Sequence, residues 1–264
     1  MDKGFLHEER KLSNPSLAII NNEVVTIDAA DMNYRDLNSL LKSYSKSAKR
    51  IDIYNVHGQR YIGAGLNSNV EIHIYGTPGN DLAAFMDGPT IYVHGNAQDG
   101  VGNTMNSGKV VVYGYAGDVV GYAMRGGKIF IRDDVGYRAG VHMKGYGDQR
   151  PVIVIGGTAQ DFLGEYMAGG ILVVLGLTLK NSESHKARFV GTGMHGGVIY
   201  VRGQVAHVGK EVNIMELEES DMAFLRPIIE EFCNFFGFDI NEILAGEFKK
   251  LVPISTRPYG KLYV

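Results

Sequence analysis

The chain predicts a mainly β protein, a right-handed parallel β-helix of about seven coils with N- and C-terminal helical caps. Three observations carry that reading. Met86, Met105, Met124 and Met143 recur at 19-residue intervals, and Met167 and Met194 continue the column at steps of 24 and 27. Glycine lies three residues before five of these methionines (Gly102, Gly121, Gly140, Gly164, Gly191, with Ala83 the exception) and three after four of them (Gly108, Gly127, Gly170, Gly197). Glycine makes up 35 of 264 residues against only 7 prolines, near twice its usual ~7% share, so the excess belongs to recurring turns. A fixed period of this kind marks stacked repeats.

The N-terminal segment, residues 1–50, predicts a cap. In TIDAADMNYRDLNSLLKSYSKSAKR, Leu37, Leu40, Leu41 and Tyr44 share one helical face, and Asp31 or Asn33 can cap its start. Residues 51–210 carry the repeat. The pairs Ile51/Ile53, Ile72/Ile74, Ile91/Val93, Val110/Val112, Ile129/Ile131, Val152/Val154, Leu172/Val174 and Ile199/Val201 alternate with more varied residues, as in strands with one buried face. Most of these strands stop at a glycine. One such unit cannot bury its apolar face alone, but stacking sets each strand about 4.8 Å from its copy in the next coil. The inserts GYGDQRP (145–151) and LTLKNSESHKARF (177–189) break the rhythm at turns and predict loops. Residues 211–264 read as C-terminal helices, with Pro227 dividing or kinking the first, Gly237 ending it and Gly246 closing a second. The tail LVPISTRPYGKLYV reads as extended, a segment that could lie on a partner.

Composition removes several functions. A net charge of −3 leaves no electrostatic footprint for nucleic acid or an anionic membrane. Cys233, the single cysteine, allows no disulfide, no thiolate zinc site and no iron–sulfur cluster within the chain. No run of about 18 apolar residues occurs, and MDKGFLHEER lacks the apolar core of a signal peptide. A cytoplasmic protein is expected.

Motifs that invite a chemical reading fail on context. GTGMHG, with Gly191, Gly193 and Gly196, is a literal G-x-G-x-x-G, yet it feeds the strand-like VIYV and opens no helix that could hold a pyrophosphate. GYAMRGGK breaks phosphate-loop spacing, since Ile129 follows Lys128. The eight histidines never adopt metal-ligand spacing. Asp99, Asp118 and Asp161, with Asn80 in the same column, are better read as turn caps than as calcium ligands. No metal or cofactor is expected in this chain.

One surface feature points outward. His73, Tyr92, Val111, Phe130, Ile153, Val173 and Tyr200 fall between the buried ladders and stack into an apolar stripe, the candidate partner interface. Two readings stay open: the stripe docks another protein, or the C-terminal helices of this chain cover it.

TIDAADMNYRDLN, NVHGQRYIGAGL, GDVVGYAMRGGKIFIRDDVGYRAG and VGTGMHGGVIYVRG together resemble the GXGXG domain, the C-terminal β-helix of the glutamate synthase large subunit, in free-standing form. The likeness spans roughly residues 24–210, with an echo at FKKLVPISTRPYG. It implies a non-catalytic scaffold that positions a glutamine amidotransferase subunit and an FMN/iron–sulfur synthase subunit, which together make glutamate from glutamine, 2-oxoglutarate and reductant. FMN and the cluster would belong to that partner subunit, and no catalytic residue carries over. LAAFM at 82–86 departs from the family's glycine pattern and predicts a differently shaped coil. The C subunit of formylmethanofuran dehydrogenase, also non-catalytic, is the alternative, although the NYRDLN helix and NVHGQRYIG favour glutamate synthase. A small-molecule-binding β-helix and a homo-oligomer remain further readings.

Overall fold

The computed structural model of the chain describes residues 18–21, 23–180 and 183–255. His7 and the tail beyond Ser255 lie outside them, as do Asn181 and Ser182 of the second insert. In chain order the elements are β1 (Ala18–Asn21), β2 (Val24–Asp28), α1 (Tyr34–Tyr44), β3 (Arg50–His57), β4 (Glu71–Thr77), β5 (Asp87–Val93), β6 (Ser107–Val112), β7 (Lys128–Ile131), β8 (Val152–Ile155), β9 (Ala168–Val174) and β10 (Gly196–Arg202), then β11 (Val212–Glu216), α2 (Glu219–Phe236), α3 (Ile240–Leu244) and β12 (Phe248–Pro253). Strands β2 to β10 pair in parallel, each with its copy one coil on, in a solenoid of about six turns.

The interior is a set of stacked apolar columns. Ile72, Ile91, Val110, Ile129, Ile153, Leu172 and Ile199 stand in register and are all fully buried. All six methionines of the 19-residue column are buried as well, which makes them core. At ~1.5–3 kcal/mol for each fully buried aliphatic side chain, these columns are the main favourable term of the fold.

The turns between coils share one backbone device. In every repeat three alternate residues have positive φ: 61/63/65, 81/83/85, 100/102/104, 119/121/123, 138/140/142, 162/164/166 and 189/191/193. Seven such rows bound six full coils, in keeping with the repeat count read from the sequence. Gly102 shows why the central place favours glycine, because φ is +70° and an added Cβ would lie 2.4 Å from Ile129 Cδ1 inside the core. Ala83 adopts the same left-handed conformation at φ 60° while fully buried. The LAAFM coil therefore keeps the common turn, against the expectation of a different shape.

Aspartates join consecutive rows. Asp99 Oδ1 accepts the Asp118 N–H at 2.9 Å, Asp118 Oδ1 accepts the Tyr137 N–H at 2.8 Å, and Asp161 Oδ1 accepts the Arg188 N–H at 2.9 Å. Each carboxylate thus satisfies a backbone donor of the following coil, which is turn capping carried along the stack.

The ends are closed by more than helices. At the N-terminal end, β2 is itself the first rung, with Val25 and Ile27 buried, and β1 pairs with it antiparallel. Asn33 caps α1 by accepting from the Arg35 and Asp36 N–H groups, and Leu37, Leu40 and Leu41 pack onto the core. At the other end β12 adds antiparallel to β10, and β11 to β12. Part of the tail predicted as extended is therefore a sheet strand. Pro227 sits inside a continuous α2, and Gly237 ends that helix at φ 74°.

Candidate functional site

The stripe predicted as a partner interface forms, with one correction. The register aligns Asp52, His73, Tyr92, Val111, Phe130, Val154, Val173 and Tyr200 along the outer face of the sheet. Ile153 does not belong to it. It pairs with Ile129 and Leu172 and points into the core, and Val154 takes its place in the stripe. The first insert lengthens that coil, and a one-residue slip in phase exchanges the two faces of a strand.

Helix α2 covers most of the stripe. Leu225, Ile228, Ile229, Phe232 and Cys233 form a second core with Val111, Phe130, Val154, Val173 and Tyr200, all of which are buried. The interface reading fails for these sheet residues, since this chain's own helix occupies their surface. Polar contacts pin α2 along its length. Glu231 holds Lys109 and Lys128, and the buried Asp221 accepts the Tyr200 hydroxyl at 2.9 Å and pairs with Lys250 at 2.8 Å. Burial and the Asp221 hydrogen bond raise the Tyr200 hydroxyl well above its ordinary value, so it stays protonated and donates.

The sheet beyond the helix carries a half-exposed cluster. Its members come from neighbouring coils and stack because the rungs superpose. Tyr54 and Tyr75 rings lie 4.5 Å apart, Tyr75 and His94 4.5 Å, and His94 and Tyr113 5.3 Å. His73 stacks on Tyr92 at 4.8 Å, and Tyr92 meets Phe235 of α2 edge-on. A hydrogen-bonded line crosses the stack: Glu71 Oε1 lies 2.5 Å from His73 Nε2, and His73 Nδ1 lies 2.9 Å from His94 Nε2. Arg50 and Asp52 pair beside it at 2.8 Å. Burial, then the neighbouring His73 and Arg50, push the His94 imidazole below its ordinary value, while Asp52 pulls the other way. The cluster reaches the surface at Tyr54 and His94. Only the Tyr and His spacing in the strands, not any motif, signalled it.

The remaining candidates settle as parts of the fold. GTGMHG leads directly into β10, and a Cβ on Gly193 would strike the Tyr166 ring. Cys233 is buried, and burial raises its thiol above the ordinary value, away from a reactive thiolate. Among the described residues no group of three or more His, Cys, Asp or Glu is placed to hold a metal ion, and no helix is long and apolar enough to cross a membrane.

A solenoid of glycine-turn coils, with one face covered by its own helix, defines a class of repeat protein. The model of the GXGXG motif family matches residues 32–256, and the chain belongs to that family. It is 52% identical over 252 residues to a Methanocaldococcus jannaschii protein described as "Uncharacterized protein MJ1350", covering 91% of this chain and 97% of that one. Among solved structures, the fold resembles a chain of the formyltransferase/hydrolase complex FhcABCD from Methylorubrum extorquens, solved with methylofuran. That match has a TM-score of 0.59 at 16% identity and covers 86% of this chain and 94% of the other.

Proposed function

We propose that this chain is a cytoplasmic, non-catalytic scaffold subunit of a glutamate synthase-type assembly, holding an amidotransferase subunit and an FMN/iron–sulfur synthase subunit in register. The supporting observation is where the turn rows put their aromatic side chains. Tyr61, Phe85, Tyr166 and Phe189 are 40–58% exposed on backbone that is strained for any residue but glycine. Bulky rings kept exposed at that cost suit contact with another protein. The ring cluster beyond the helix reaches the surface at Tyr54 and His94 and offers a second patch of the same character. The sequence resemblance supplies the identity of the partners.

A second reading has its own support. The FhcABCD chain shares the fold over nearly its whole length, which fits a scaffold in a complex that handles formyl groups, of the formylmethanofuran dehydrogenase C type. Affinity purification of the tagged chain from its native host, with mass spectrometry, separates the two. Co-purifying amidotransferase and flavin–iron–sulfur subunits support the first. Formyltransferase or molybdenum or tungsten subunits support the second. Recovery of the chain alone, or glutamate-forming activity from the purified chain, overturns the scaffold reading.

A further inference from the structure

The first insert builds something the repeat does not need. Its loop rises from the outer face of the sheet, with Tyr146 and Gln149 bridged across it, and stands opposite the start of α2. Between them lies a groove of about 590 Å³, within the range of small-ligand sites. Gly169, Gly170 and Gly197 form its floor. Coil stacking demands those glycines, because a Cβ on Gly197 would sit 2.8 Å from the Gly170 carbonyl oxygen. The floor is bare backbone as a consequence.

The walls differ in chemistry. Phe224, 39% exposed, supplies ring surface on the helix side, and Tyr200 of β10 borders the groove but is buried. Lys144 and Arg150 stand on the insert side, and Lys250 on β12. Lys250 is neutralised by Asp221, whose carboxylate also takes the Tyr200 hydroxyl. Lys144 and Arg150 are exposed and belong to none of the ion pairs of the described residues. The groove therefore carries unbalanced positive charge over a partly apolar concavity, and such a site concentrates anions.

We infer that this groove binds a small anionic ligand, with carboxylate or phosphate oxygens met by Lys144 and Arg150 and an apolar body against Phe224. The inference is independent of the scaffold reading. Binding here leaves the exposed turn-row rings Tyr61, Phe85 and Phe189, none of which lines the groove, free for partners.

Calorimetric titration of the whole chain with inorganic phosphate and with succinate, at ionic strength matched by chloride, tests it. Saturable binding of at least one probe is expected. Lys144→Ala/Arg150→Ala should weaken it by at least about tenfold, the loss of one charge-assisted hydrogen bond. Lys42→Ala/Lys46→Ala removes the same charge from the distant, exposed α1 region and should leave it unchanged. Phe224→Ala should weaken succinate more than phosphate. Binding of phosphate alone assigns the groove to phosphorylated ligands, and binding of succinate alone assigns it to carboxylates. No saturable binding of either, or equal weakening in the α1 control, overturns the proposal. Affinity purification of the Lys144→Ala/Arg150→Ala variant should still recover the wild-type partners, so the groove and the scaffold fail separately.

Discussion

Gly102→Ala isolates the packing demand of the turn rows. The substitution has three consequences. It places a Cβ in left-handed backbone, which costs about 1–2 kcal/mol. It lowers the entropy of the unfolded chain, worth about 0.4–1 kcal/mol in the opposite sense. It also drives the new methyl to 2.4 Å from Ile129 Cδ1, with Met105 Sδ 3.7 Å away, so the end of the buried Ile129 side chain must shift within the core. Overpacking of this kind costs about 1–3 kcal/mol. Gly65→Ala supplies the reference, because φ is +65° and nothing lies within 4 Å of its Cβ. The first two contributions are common to both variants and cancel. Gly102→Ala should therefore be less stable than Gly65→Ala by about 1–3 kcal/mol, or on the order of 2–10 °C in Tm for a chain of this size. Urea unfolding of the two variants side by side measures the difference, with equal slopes confirming that unfolding stays cooperative. A Gly102→Ala midpoint equal to or above that of Gly65→Ala would refute the claim that the glycine is required by core contact.

Further expectations concern the helix and two buried ionisable groups. Phe232 is fully buried on the outer face of the sheet, so Phe232→Ala should cost about 3–5 kcal/mol. It should also speed amide exchange in β7 and β8, and unchanged exchange there would mean that α2 does not depend on this anchor. Burial works against the charged form of Asp221, but Lys250, the Glu218 N–H and the Tyr200 hydroxyl outweigh it and lower its pKa. For an acid with a depressed folded value, the stabilisation is present above the unfolded value of about 3.9 and is lost as pH falls through the folded one. Asp221→Asn should flatten this acid-side loss in a pH series of melts, and an unaltered profile would count against the network. Burial lowers the His185 pKa, and the hydrogen bond its Nε2–H donates to the Arg202 carbonyl opposes that only in part. Below about pH 6.5 the unfolded chain binds the proton first, so stability should fall with pH until the folded value is passed. His185→Gln should lose that slope between neutral and mildly acidic pH, and a persistent slope would assign it to another group.

Much of the repeat was legible because its signals are local and redundant. A methionine every 19 residues, a glycine before it and an aliphatic pair in each strand all report the same coil, so one exception such as Ala83 leaves the reading intact. The left-handed rows were less legible. Tyr61, Phe85, Val119, Arg138, Phe162, Tyr166 and Phe189 hold positive φ without being glycine, so glycine counting finds the central column and misses its flanks. The terminal strands were hidden for a different reason. β2 and β12 are rungs supplied from outside the periodic region, and FKKLVP looks like a strand only once the exposed edge of β10 calls for a partner.

The slip at Ile153 follows from the same packing that settled the fate of the stripe. In RIDIY and EIHIY the outward residues Asp52 and His73 are polar, and alternation fixes which side faces the core. In VIVI all four residues are buried, Ile153 and Ile155 against the interior and Val152 and Val154 against the helix-covered face. A strand covered on both sides loses its alternation and becomes a continuous apolar run, so its phase cannot be read from composition. The insert just before it removes the 19-residue step that would otherwise have restored the phase. The lost alternation is itself informative. Where outward residues turn apolar, from Val111 onward, this chain supplies the cover; Tyr92, against Phe235, marks the edge of the helix, and at Asp52 and His73 the polar and aromatic cluster takes over.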